Sequence, residues 1–138
     1  MCLAVTVPVK VLRRTRRYYK VVNVEGDEFY SPYRNTPIVL GRDYYYNPAT
    51  IGAADITIRK YESLGTAKIV LNFGFGLFHL YRNKRSAKRH LNSMKETYPE
   101  LEFVIVEAIV PKGSLVFVDS ILKEEIATNH VRYYRNIM

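Results

Sequence analysis

Val5, Val7, Val9 and Val11 alternate with Thr6, Pro8 and Lys10, so the chain opens on a period of two. That alternation marks a half-buried strand, and Pro8, which has no amide hydrogen to give a ladder, restricts it to a sheet edge. Residues 13–17 interrupt the pattern with arginines, and 18–24 resume it as a β-branched strand. Glu25-Gly26-Asp27-Glu28 is a turn leading into Phe29-Tyr30. Residues 31–37 carry Pro32 and Pro37 and predict an irregular surface loop. Residues 38–40 are apolar until Gly41 breaks them, and Asn47-Pro48 signals another turn. Ile56 and Ile58 alternate with Thr57 and Arg59 in a strand over 55–61, Leu64-Gly65 turns the chain, and strands follow over 67–73 and 77–80.

The clearest helix covers 84–98. Ala87, Leu91, Met94 and Tyr98 fall at i, i+4, i+7 and i+11, one narrow apolar stripe. Asn83 can cap its start and Pro99 stops it. Residues 101–110 are apolar apart from Glu102 and Glu107, the pattern of a central strand covered on both faces. Pro111-Lys112-Gly113 turns the chain into a strand over 115–118, residues 121–127 are ambiguous and suit a short helix, and 130–137 form a last strand. Many strands and one strong helix predict a single α+β domain over 1–138, a mostly antiparallel sheet with the helix packed on it.

Composition adds two facts. Lys and Arg number 21 against 13 acids, for a formal charge of +8. The excess is clustered: Lys10, Arg13, Arg14, Arg16, Arg17 and Lys20 precede the first acid, and Arg82, Lys84, Arg85, Lys88, Arg89 and Lys95 form a second acid-free block. Such blocks attract phosphates, or simply solvate a helix face. The second fact is tyrosine: 12 Tyr and no Trp, with runs at Tyr18-Tyr19, Tyr44-Tyr45-Tyr46 and Tyr133-Tyr134. Neighbours on a strand face opposite ways, so one ring of each pair should reach a surface. Rings beside cations can stack on bases, although a tyrosine is also a common half-buried residue.

The chemistry-bearing residues narrow the choice. Cys2 is the sole cysteine, which excludes an internal disulfide and fits a reducing cytoplasm. No apolar run is long enough to span a membrane, and residues 1–12 do not read as a signal peptide. His79, His90 and His130 have no metal-ligand spacing, so neither a metal nor a cofactor is expected. Gly74-Phe75-Gly76 is neither a Walker A loop nor a dinucleotide fingerprint, and its glycines suit a tight bend or a close backbone approach. If Met1 is removed, Cys2 gains a free amine beside its thiol and becomes a candidate nucleophile.

Met1-Cys2-Leu3, Tyr19-Lys20-Val21-Val22, Ser31-Pro32-Tyr33, Gly76-Leu77-Phe78-His79 before Ala87, Ile109-Val110-Pro111-Lys112-Gly113 and Ile126-Ala127-Thr128-Asn129 occur in that order. In this the chain resembles small proteins of bacteriophages and gut bacteria that begin Met-Cys-Leu. The resemblance covers most of the chain and implies a viral protein working in a host cytoplasm, without implying an activity. Gly74-Phe75-Gly76-Leu77-Phe78-His79, Arg85-Ser86-Ala87, Val106-Glu107-Ala108-Ile109 and Asn129-His130-Val131-Arg132-Tyr133 are also similar to the second half of ADP-ribosyltransferases of the poly(ADP-ribose) polymerase type. That similarity implies an ADP-ribosyltransferase-like fold in which His130 stands where the family has its catalytic Glu. An imidazole there supplies no carboxylate for a developing oxocarbenium ion. Glu124 or Glu125 could substitute only if the last loop folds back.

These readings converge on a small basic binding protein that recognises a phosphate-bearing ligand, whether nucleotide, NAD-derived signal or nucleic acid, without turnover. At about 100° per residue, Lys84, Lys88 and Lys95 share one flank of the helix stripe, placed to line a cleft with the sheet. The cleft would lie between the Gly74–Gly76 turn, this lysine flank and the tyrosine-rich strands, with His79, Tyr81, Tyr19, Tyr133 and His130 as further ligand-binding candidates. Arg13, Arg14, Arg16 and Arg17 are the candidate nucleic-acid contacts, while Arg85 and Arg89 face solvent. Two alternatives stand beside this reading. One is an enzyme, ADP-ribosyltransferase-like or dependent on Cys2, with Cys2 and His130 as its catalytic candidates. The other is an inhibitor whose basic face meets an acidic host protein.

Overall fold

The computed structural model describes residues 3–6, 10–32, 37–45, 56–63, 66–73, 78–118 and 124–137. Within them the chain is α+β, with one helix packed on an antiparallel sheet. The sheet is organised around β3 (Arg16–Glu25) and β10 (Glu102–Val110), which pair from Glu102 opposite Val24 to Val110 opposite Arg16. On the far side of β10 lie β13 (His130–Asn136) and then β6 (Asp43–Tyr45). On the far side of β3 come β9 (Phe78–Tyr81), β12 (Glu125–Thr128), β11 (Leu115–Val118) and β2 (Lys10–Val11). β4 (Glu28–Tyr30) folds back on β3 through a turn in which Gly26 takes φ 62°, and β5 (Pro37–Ile38) pairs with β4. A separate three-stranded sheet is formed by β1 (Leu3–Thr6), β8 (Thr66–Phe73) and β7 (Ile56–Ser63).

The apolar run of β10 is central because it is buried on both faces. Val106, Ala108 and Val110 join Tyr18, Val22, Leu80, Val116, Ile126, Val131 and Tyr133 in one core. Phe103 and Ile105 point the other way and meet Val21 and the helix α1 (Lys84–Thr97) through Ala87, Leu91 and Met94. The first core draws on β11 and β12 as well as β13, so the sheet curls around it. The corner from β12 to β13 is fastened at Thr128 and Asn129. The Thr128 hydroxyl donates to the Leu115 carbonyl at 2.9 Å, and Asn129 Oδ1 accepts from the Leu115 amide at 2.9 Å. The Pro111-Lys112-Gly113 turn closes with Gly113 at φ 89° and its amide on the Leu12 carbonyl.

Among the described residues the expected helix and later strands survive with small shifts of boundary, whereas the opening alternation serves two strands, β1 and β2, of different sheets. The helix ends at Thr97, and Tyr98 closes the last turn through its amide on Met94 while its ring stays exposed. Arg16 and Arg17 belong to β3 instead of interrupting it. The ambiguous stretch before the last strand resolves, from Glu125 onward, as the strand β12: its Ile126 and Ala127 are needed in the core and between β9 and β11. Of each described tyrosine pair one ring is more buried than its neighbour, Tyr18 against Tyr19, Tyr44 against Tyr45, and Tyr133 against Tyr134. No helix among the described residues is long and apolar enough to cross a membrane.

The helix owes its start to a local bond and its place to burial. Asn83 Oδ1 accepts from the Ser86 amide at 2.8 Å and from the Ser86 hydroxyl at 2.9 Å. Leu91→Ala should therefore cost about 3 kcal/mol of unfolding free energy, the scale of a buried leucine truncation. Asn83→Ala should cost about 1 kcal/mol, the scale of a lost cap. Urea denaturation of the two variants checks this, and equal losses would show that the helix is held by something other than its apolar stripe.

Candidate functional site

The helix is rolled away from the orientation that its sequence implies. With Ala87 at the centre of the stripe, Lys84, Lys88 and Lys95 lie on one flank and Ser86 and His90 on the other, at about 100° per residue. The sheet covers the second flank. Ser86 is buried and His90 half-buried, whereas all three lysines are exposed. The lysine row therefore does not line a cleft between helix and sheet. The reason is chemical: Ser86 satisfies its hydroxyl on Asn83, and His90 meets the Tyr81 hydroxyl, so two polar residues enter the interface without an unpaired group. Arg89, read as a solvent residue, pairs with Glu124 at 2.9 Å on the surface.

Cations converge elsewhere. Among the described residues, Arg14, Thr15, Arg16, Arg17, Tyr18 and Arg82 line an open hollow of roughly 380 Å3, and none of them is acidic. The sequence placed Arg14, Arg16 and Arg17 together; Arg82, from the second basic block, joins them because it follows β9, which pairs with β3 at Tyr19 opposite Tyr81. Tyr18 sits among these charges. Burial raises its pKa, while Arg16 and Arg82 pull it back. Arg13 is exposed and does not line the hollow.

Arg17 leads from the hollow onto a second polar surface. Its Nε lies 3.3 Å from Glu107, a carboxylate only 3 % exposed in the middle of β10. Arg135 holds the other carboxylate oxygen at 2.7 Å. A bulge between Glu107 and Ala108 makes this possible. Glu107 faces Arg135 while Ala108 faces Tyr133, so Tyr134 is the extra residue and Arg135 moves to the Glu107 face. On the same face Asp43 takes a hydrogen bond from Arg132 at 2.6 Å and one from His130 Nε2 at 3.0 Å. Arg132 and then His130 hold the Asp43 carboxyl below the usual carboxylate range. The His130 ring lies against Tyr45, centroids 4.1 Å apart.

The remaining candidates separate. Tyr133 is 3 % exposed, packs edge-on against Tyr44 and has its pKa pushed up by burial, so it is a core residue and not a ligand contact. His79 is half-buried and its carbonyl accepts from Lys20 at 3.0 Å. Tyr19 and Tyr81 are half-buried beside the helix core. Gly74, Gly76 and Cys2 lie outside the described residues. Among the described residues no three His, Cys, Asp or Glu side chains gather to hold a metal ion. Asp43, Glu107 and Arg82 were missed because their partners are remote in sequence. The Glu interrupting the apolar run was the available signal for Glu107, since a charge on a doubly covered strand needs partners.

Comparisons with family models, with curated proteins and with solved structures find no match to this chain.

One titration follows from the helix seat. Burial, and then the Lys20 charge, lower the pKa of His90 from its ordinary 6.5, and its Nδ1 shares a hydrogen bond with the Tyr81 hydroxyl. Below about pH 6.5 the unfolded chain takes up a proton that folded His90 resists, so stability present at neutral pH is lost as pH falls. Thermal melts between pH 7.5 and 5.5 should show a declining midpoint in the wild type and a flatter profile in His90→Gln. Parallel profiles would remove His90 as the cause.

Proposed function

We propose that this protein binds a phosphate-bearing ligand through the arginine hollow and does not transform it. The observation that carries the reading is the convergence of four arginines from two separate basic blocks on one hollow, with no acid among the described residues that line it. Guanidinium groups suit phosphate because their donors match two oxygens at once. The net charge of +8 steers anions toward the molecule, and the hollow supplies a fixed place for one. The site is open, which suits an extended ligand as well as a free nucleotide.

A second reading draws on His130. An ADP-ribosyltransferase-like fold and residual chemistry would need a carboxylate near that position. Asp43 is beside His130, but it is engaged with Arg132 as well. Glu124 is tied to Arg89 and Glu125 pairs within β12 opposite Tyr81. A binding role accounts for these engaged carboxylates without a further rearrangement.

Two measurements test the proposal. Calorimetric titration with inorganic pyrophosphate should show binding that weakens about tenfold in Arg14→Ala and again in Arg82→Ala, the scale of one exposed charge-assisted hydrogen bond. Wild-type affinity retained in both variants would sink the hollow as the anion site. Incubation with NAD should release no nicotinamide. Release that persists in Cys2→Ala would favour the transferase reading, and release abolished by it a thiol mechanism.

A further inference from the structure

The polar face beyond the helix has its own chemistry. α1 covers the sheet over Val21, Phe103 and Ile105. The next positions on that side are Glu107 with Arg17 and Arg135, then Arg132 with Asp43, then His130 with Tyr45. Two rings stand out on it. Tyr45 is 69 % exposed, backed by the His130 ring, and Tyr134 is 48 % exposed with the Arg135 guanidinium carbon 5.5 Å from its centroid. A tyrosine exposed to that degree on a sheet, next to a fixed cation, is a platform for a flat ring.

Charge and spacing select the occupant. Among the described residues the acids of this face, Glu107 and Asp43, are each engaged with an arginine, and Asp43 with His130 as well. Arg17, Arg132 and Arg135 remain substantially exposed, so the surface presents cations beside rings. Arg17 belongs both to this face and to the hollow, so the two surfaces are continuous. β3 and β6 are three strand spacings apart, about 14 Å, room for more than one nucleotide. A mononucleotide has one base and leaves a ring unused; a duplex hides its base faces within its own stack. A flexible chain with phosphates and accessible bases satisfies both surfaces.

We infer that the face carrying Tyr45 and Tyr134 binds single-stranded nucleic acid, stacking bases on these two rings while the backbone runs along Arg132, Arg135 and Arg17 toward the hollow. This rests on the hollow being a phosphate anchor. Recognition by stacking is tolerant of sequence, since every base has a flat face. Affinity falls steeply with salt because bound cations are released from the strand.

The experiment uses the full chain with a fluorescently labelled 12-nucleotide single strand of mixed sequence, the same sequence as a duplex, and inorganic pyrophosphate. The single strand is expected to bind at least tenfold tighter than the duplex. Tyr45→Ala and Tyr134→Ala, both at exposed positions, should each weaken single-strand binding about tenfold. Their thermal midpoints and pyrophosphate affinity should stay at wild-type values. Arg82→Ala should weaken both ligands. Equal binding of strand and duplex, or tyrosine variants that bind the strand as the wild type does, overturns the stacking face and leaves the hollow standing. Failure of pyrophosphate and strand alike overturns the hollow, and this inference with it.

Discussion

The structure depends on one strand whose middle is buried on both faces. β10 has neighbours on both edges and apolar contacts on both faces, so its register fixes which residues of β3 and β13 can reach which surface. A strand so enclosed tolerates a charge only if the charge is fully partnered. Glu107 is that charge, and its partners come from the two adjacent strands. The ion cluster thereby links the pairing of three strands to the arrangement of the cationic surface. The cost of desolvating a carboxylate is offset by two guanidinium groups that themselves stay largely in water.

Helix and hollow are separate consequences of the same frame. The helix lies over the end of β3 and β10 where Val21, Phe103 and Ile105 are apolar, and stops short of Glu107. The opposite end of β3 carries Arg16 and Arg17, and β9 delivers Arg82 beside them. Basic residues on the exposed helix flank and basic residues around the hollow thus play different parts. The first keep a surface hydrated, and the second form a concave positive patch.

The strands were legible in the sequence wherever burial alternates or runs continuously, as in residues 102–110, and the helix was legible from its stripe and its Asn83 cap. Its roll was not, because Ser86 and His90 are polar and periodicity counts them as solvent residues. Only their partners, Asn83 and Tyr81, make them suitable for burial. The hollow was half legible: the arginines of 13–17 announce a cation cluster, but nothing local announces Arg82. Tyr133 and Tyr134 show the limit of alternation, which identifies one ring as buried without saying which, and cannot foresee a bulge.

That bulge puts the face under the control of strand register. In a regular strand Tyr133 and Arg135 would share a side; the single additional residue between them is what lets one enter the core and the other meet Glu107. Pairing the same residues without the bulge would set Tyr134 opposite Glu107 and turn everything after it by half a turn, driving the Arg135 guanidinium toward apolar packing and leaving Glu107 with Arg17 alone. The polar face thus depends on where the ladder slips as well as on which side chains it carries.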